Sequence, residues 1–268
     1  MTPDLRTLCQ MVFTAAQEEI QGRFRAVSRE FKADGSIVTA ADRAMQARLE
    51  RDLRHHWPSI PLLGEEMDTA TQEALLHNHD EGVWCLDPVD GTTNFASGIP
   101  IFAVSIALIR NGAPVLGVIY DPIHDECFSA ALGQGAWCNG IPLKPQTAPP
   151  LPDCIASIDL KRLSPTLAIY LMDHPPYGSQ RNFGSSVLEW AWVATGRIHL
   201  YLHGCQALWD YAAGVLILSE AGGQSMTLEG EPVFHADLAR RSVVAALDRD
   251  AFTKWRAYLM NNSSEIYR

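Results

Sequence analysis

Residues 83–95 read Val-Trp-Cys-Leu-Asp-Pro-Val-Asp-Gly-Thr-Thr-Asn-Phe, and no other segment constrains the chain as strongly. An apolar run of buried-strand character ends in Asp87, Pro88 fixes a turn, and Asp90 follows three residues on, so two carboxylates can converge on one point. The Val89 carbonyl can turn inward between them. That oxygen-only set suits a hard ion such as Mg²⁺ rather than zinc. Gly91, Thr92 and Thr93 then offer backbone N–H groups at the start of a helix, a setting that favours an anion. An Asp-Pro turn with Asp90 as a helix cap accounts for two aspartates alone, but less well once Gly-Thr-Thr-Asn follows them.

Two further segments present carboxylates in the same way. Leu62-Leu63-Gly64-Glu65-Glu66 is a short apolar strand that stops at glycine and exposes two adjacent acids. Leu208-Trp209-Asp210-Tyr211-Ala212-Ala213-Gly214 places Asp210 at a helix entrance, where a capping aspartate is commonplace. Each has an ordinary structural explanation in isolation. Four acids in three segments, each at a strand end or helix start, point to a shared site instead.

Charge makes a metal the natural companion of that site. The chain carries 31 Asp and Glu against 21 Lys and Arg, a net charge of −10 that repels nucleic acid, anionic membranes and phosphate alike. A protein of this charge that handles phosphate needs local positive charge, and bound cations supply it. Neither a nucleic acid nor a membrane is expected as a partner. The six cysteines are scattered singly, and the N-terminus lacks a basic-then-apolar signal pattern, so a cytoplasmic protein with free thiols is expected.

Helical spacing at Leu5, Leu8, Val12 and Ala15, and again at Met45, Leu49 and Leu53, opens the chain with two amphipathic helices. Apolar runs at 60–63, 83–86, 101–109 and 114–120 predict strands, the last two joined by a hairpin at Arg110-Asn111-Gly112-Ala113. The proline-rich stretch 147–152 suggests a boundary between residues 1–147, an α+β half with the metal motifs, and 148–268, an α/β half with Asp210. Strands near 154–158, 197–201 and 242–247 alternate there with helices at 164–173, 185–195, 209–221 and from about 249.

Taken together, Gly64-Glu65-Glu66, Asp87 through Phe95, and Trp209 through Gly214 resemble the signature motifs of the inositol monophosphatase family, in order. Lys32 through Asp42, the glycine-rich Gly135 through Gly140 and Gly184-Ser185-Ser186 extend the likeness over essentially the whole chain. The resemblance implies an α+β fold, a layered αβαβα sandwich of the inositol monophosphatase and fructose-1,6-bisphosphatase type, usually a homodimer. It also implies two or three Mg²⁺ ions and lithium sensitivity. By motif, Glu65, Asp87 and the Val89 carbonyl hold the first ion, and Asp87, Asp90 and Asp210 the second. A third rests near Glu65, with Glu66 a further candidate.

The implied reaction is hydrolysis of a small sugar or polyol phosphate by in-line attack of a metal-activated water. Glu65 and Thr92 would orient that water and take its proton, with Asp90 among the catalytic set. Gly91, Thr92, Ser185, Ser186, His203 and Asp210 would contact the phosphate or the substrate. Relatives that cleave histidinol phosphate, fructose 1,6-bisphosphate or nucleotide 3′-phosphates are the alternatives within the superfamily. A non-catalytic phosphosugar-binding protein is the alternative outside it.

Some residues carry two readings. Inositol-specific members usually have glutamate where this chain has His203, so polyol binding should weaken unless His203 merely sits on the surface. Thr39 and Asp42 fit a helix capping box as well as they fit the family's metal loop. Lys161 and Arg162 are either exposed charges or approach a substrate anion. His77 and His79 fit solvated surface better than a zinc pair, and Trp190 and Trp192 fit core better than a sugar-stacking platform.

Overall fold

The computed structural model describes residues 2–24, 30–31, 37–77 and 81–261. Helices α1 (Leu5–Glu19) and α2 (Ala40–His56) open the chain, with the short antiparallel strands β1 (Glu30–Phe31) and β2 (Ile37–Val38) between them. Then come β3 (Leu62–Gly64), α3 (Thr69–His77), β4 (Val83–Asp90), α4 (Thr92–Ser97), β5 (Ala103–Arg110), β6 (Ala113–Asp121), β7 (Glu126–Ala131), β8 (Gly135–Cys138) and β9 (Ile141–Pro142). Strands β3 to β9 form one seven-stranded sheet in sequence order, parallel only between β3 and β4.

The later part supplies β10 (Ile155–Asp159), α5 (Pro165–Asp173), β11 (Ser179–Arg181), α6 (Ser186–Ala194), β12 (Leu200–Gln206), α7 (Leu208–Glu220), β13 (Gln224–Met226), β14 (Arg241–Ala246) and α8 (Arg249–Asn261). Its five strands pair in the order β11-β10-β12-β14-β13; β10 runs parallel to both neighbours, and β14 runs antiparallel to both of its own. The short strands β7, β9, β11 and β13, like α3, escaped the sequence reading because their apolar patterns are too brief to register.

Alternation along the strands builds five layers. Trp84 and Leu86 of β4 pack with α1 and α2, whereas Val83 and Cys85 face α6 and α7. In the second sheet Tyr201, Val243 and Ala245 face those same two helices, while Leu200, Leu202, Val244 and Ala246 face α5 and α8. Helices α1/α2, the first sheet, α6/α7, the second sheet and α5/α8 therefore stack as the expected αβαβα sandwich. Sheets covered on both faces explain why their strands read as continuous apolar runs.

The middle layer is tight because small residues meet there. A Cβ on Gly214 of α7 would lie 2.4 Å from the Trp190 ring, and one on Gly117 of β6 would lie 3.2 Å from Ala213. Trp190 is fully buried, as expected for core, and its Nε1–H donates to Gln206.

One detail of β4 departs from expectation. The strand does not stop at Asp87 but continues to Asp90, with its pairing to β5 slipping between the two. Residues three apart on a regular strand point to opposite faces, and the irregularity turns both carboxylates to one side.

Candidate active site

The strand ends deliver the acids to one cavity of about 490 Å³. Glu65 follows β3, its N–H extending the ladder to the Leu86 carbonyl at 3.1 Å. Asp210 sits in the first turn of α7 and accepts the Ala207 N–H at 2.8 Å. One carboxylate oxygen from each of Asp87, Asp90 and Asp210 lies within 4.8 Å of the others. Glu65, Val89, Gly91 and Thr92 line the same cavity.

Like charges this close are costly in a dry setting. Burial raises Asp87 well above the ordinary carboxylate range, and the charges of Glu65, Asp90, Asp210 and Asp42 add to it. Asp210 is pushed up to about 8, first by desolvation and then by Asp90. Desolvation also raises Asp90, but only to about 6, because the Ser185 hydroxyl, the Val187 N–H and the Ser186 hydroxyl donate to it. A multivalent cation relieves all three strains at once, and an oxygen-only donor set fits Mg²⁺.

Gly91 makes the bend between β4 and α4. Its φ of 87° is left-handed, and a Cβ there would come within 2.9 Å of the Ile101 carbonyl. Asn94 then staples α4 to the loop before α6, donating to the carbonyls of Ile101 (2.9 Å) and Phe183 (2.7 Å). The Thr92 hydroxyl lies 2.9 Å from the Val89 carbonyl, to which it donates, and 3.4 Å from Asp42. Thr39 and Asp42 do form the capping box of α2, with Asp42 accepting both the N–H and the hydroxyl of Thr39. The two readings of Asp42 are thus compatible: one oxygen caps the helix, the other faces Thr92.

Other expected residues fall as follows. Ser185 and Ser186 reach the site, but their hydroxyls donate to Asp90, so they orient a carboxylate. Glu66 instead lines a separate cavity with Glu65, Arg43 and Glu50. His203 is no surface residue: it is 8% exposed and lines the main cavity. Its Nδ1 accepts the Cys205 N–H at 3.1 Å, which leaves the proton on Nε2. Burial and then the charges of Arg162, Lys161 and Arg240 push the imidazole down to about 3, so it stays neutral.

Lys161 and Arg162 also line this cavity, with Arg240 and Asp159, two residues the sequence reading passed over. Glu189 was missed as well. It is 3% exposed, accepts the Phe183 N–H at 2.9 Å and is raised to about 7 chiefly by burial. A glutamate inside an apolar helix, Ser-Val-Leu-Glu-Trp-Ala-Trp-Val, was the available signal. The Lys32 end of the family-like N-terminal segment, and His79, lie outside the described residues.

Known proteins bear on this geometry. The profile of the "Inositol monophosphatase family" matches residues 1–264. Inositol monophosphatase 1 of Solanum lycopersicum is 38% identical over 199 residues, 72% of each chain. The structure of an inositol monophosphatase (IMPase) of Thermotoga maritima superposes with a TM-score of 0.81 at 26% identity, covering 98% of both chains. SaIMPase-II, solved with inositol monophosphate bound, gives 0.78 at 28% identity over 98% of this chain and 96% of that one. Fold, carboxylate site and relatives define a phosphoric monoester hydrolase. The chain belongs to the inositol monophosphatase family.

Proposed function

We propose that this enzyme is a Mg²⁺-dependent phosphatase that hydrolyses a small sugar or polyol phosphate, of the inositol 1-phosphate kind, by direct attack of water. The convergence of Asp87, Asp90 and Asp210 oxygens within 4.8 Å carries the reading. Glu65, Asp87 and the Val89 carbonyl would hold one Mg²⁺, and Asp87, Asp90 and Asp210 a second, with a weaker third near Glu65. Bound there, the ions supply the positive charge that an acidic protein lacks for phosphate and make water a better acid.

The chain's own groups do the rest. Glu65 takes the proton of the attacking water. The Thr92 hydroxyl, donating to the Val89 carbonyl, keeps its lone pairs for that water and so aims it at phosphorus. The N–H groups of Gly91 and Thr92 meet charge growing on the phosphoryl oxygens. Water oxygen bonds to phosphorus as the ester oxygen leaves, takes up a proton and departs as the alcohol; no phosphoenzyme forms.

The same reading makes the enzyme a homodimer, sensitive to lithium and cytoplasmic. No helix of the described residues is long and apolar enough to cross a membrane. Phosphate release from a panel of monoesters tests the proposal: Mg²⁺ should support it, and chelator or excess Ca²⁺ should suppress it. Tight binding of monoesters without any release would favour a phosphosugar-binding protein instead.

A further inference from the structure

Besides its carboxylates, the cavity is lined by three basic side chains, Lys161, Arg162 and Arg240. Strands β10 and β12 run parallel with Asp159 opposite His203, so Lys161 and Arg162, just past the end of β10, lie at the His203 end of β12. Strand β14 runs antiparallel to β12 with Val243 opposite His203, which brings Arg240 to that same end from the other side. The turn at Leu160–Arg162 is held there by its backbone. The Asp159 carboxylate accepts the Lys161 N–H at 3.2 Å, and Gly204 lets the Arg162 carbonyl approach so closely that a Cβ would lie 1.9 Å from it.

These cations are poorly compensated. Arg162 and Arg240 have no ion-pair partner among the described residues, and Lys161 reaches only Asp159, at 3.9 Å with its side chain 73% exposed. Asp159 is the one carboxylate among them and also lies 3.7 Å from His203 Nε2. Three like charges converging on one end of a cavity repel one another until an anion joins them. The substrate phosphate belongs at the other end, with the four acids and their metals.

We propose that Lys161, Arg162 and Arg240, with the His203 Nε2–H between them, form a subsite for a second anionic group. The preferred substrate is then a phosphate monoester that also carries a carboxylate or a second phosphate. This rests on the phosphatase reading above and narrows its substrate class.

The test compares catalytic efficiencies within two pairs at ~0.1 M salt, where long-range steering is largely screened. One pair is 3-phosphoglycerate against glycerol 3-phosphate, the other fructose 1,6-bisphosphate against fructose 1-phosphate. The wild type should favour the doubly anionic member of at least one pair by about 10- to 100-fold. Which pair responds tells a carboxylate from a phosphate. Lys161→Gln/Arg162→Gln should bring that ratio to within about threefold of unity, mainly through KM. Arg240 is left in place because its charge also reaches Asp210.

Equal efficiencies in the wild type, a ratio that survives in the variant, or an equal loss for both members of a pair would overturn the subsite while leaving the phosphatase standing. If none of the four compounds is hydrolysed, inositol 1-phosphate decides the phosphatase reading and calorimetry with Ca²⁺ present decides the subsite. Fructose 1,6-bisphosphate must then bind the wild type at least about tenfold more tightly than fructose 1-phosphate, and the double variant must lose that difference. Equal affinities would reject it.

Discussion

The two ends of the cavity are built on opposite principles. At the acid end Asp87 is buried, Asp90 takes three hydrogen bonds from the start of α6, and Asp210 is tied to Ala207. At the basic end Lys161, Arg162 and Arg240 are exposed, and they sit on a short turn and a loop. Side chains held by strand ends and buried neighbours keep a fixed geometry, as metal-assisted chemistry needs. Exposed charges on a turn can change without disturbing the core. If the acid end carries the reaction and the basic end selects the substrate, the two share one cavity but tolerate change very differently.

The largest expected effect falls on the acid end. Glu65→Gln and Asp210→Asn should each lower kcat at saturating Mg²⁺ by about 100-fold or more, with the circular dichroism spectrum unchanged. Stability should move the other way. In chelator at about pH 9 wild-type Asp210 is charged and desolvated, so Asp210→Asn should melt at a higher temperature. Near-normal turnover in Asp210→Asn would break the contrast between the two ends.

Next comes His203→Glu, which puts a carboxylate among the three cations. The ratio of efficiencies on 3-phosphoglycerate and inositol 1-phosphate should swing toward the polyol by about 5- to 150-fold. An unchanged ranking would mean that His203 has no part in specificity. Smaller still, Ser186→Ala removes a 3.1 Å hydrogen bond to Asp90 and should weaken apparent Mg²⁺ affinity about tenfold, read from the Mg²⁺ dependence of the rate. No change would show that the remaining Ser185 and Val187 bonds suffice.

The subtlest difference lies in the pH dependence of stability without metal, where the ends have opposite signs. Asp90 at about 6 and Asp210 at about 8 are raised above their ordinary 3.8, so their folded forms bind protons that the unfolded chain has lost. Stability from that end is greatest at low pH and falls as pH rises through 6 and 8. His203 at about 3 is lowered from 6.5, so its contribution is present above 6.5 and is lost as pH falls toward 3. Melting curves across pH in chelator should therefore flatten on the acid side in His203→Gln. With Mg²⁺ added, the gain in melting temperature should grow from about pH 5 to about pH 9.

The acids that meet in the cavity were legible in the residues themselves, because each is announced locally. Glu65, Asp87 and Asp210 each mark the end of an apolar run or the start of a helix, and such positions are where side chains leave the core. The five-layer sandwich was likewise implied by the family-like motifs, and continuous apolar strands agree with sheets covered on both faces. Only the tertiary structure decided that β4 slips its register to turn Asp87 and Asp90 to one side. It also decided that Ser185 and Ser186 serve Asp90, and that Asp42 caps α2 while facing Thr92. Lys161 and Arg240 are 79 residues apart in sequence; Lys161 was open to two readings there, and no local pattern marks Arg240. Their meeting depends on the strand order β10-β12-β14, a long-range pairing set by how the sheet is assembled rather than by any neighbouring residue.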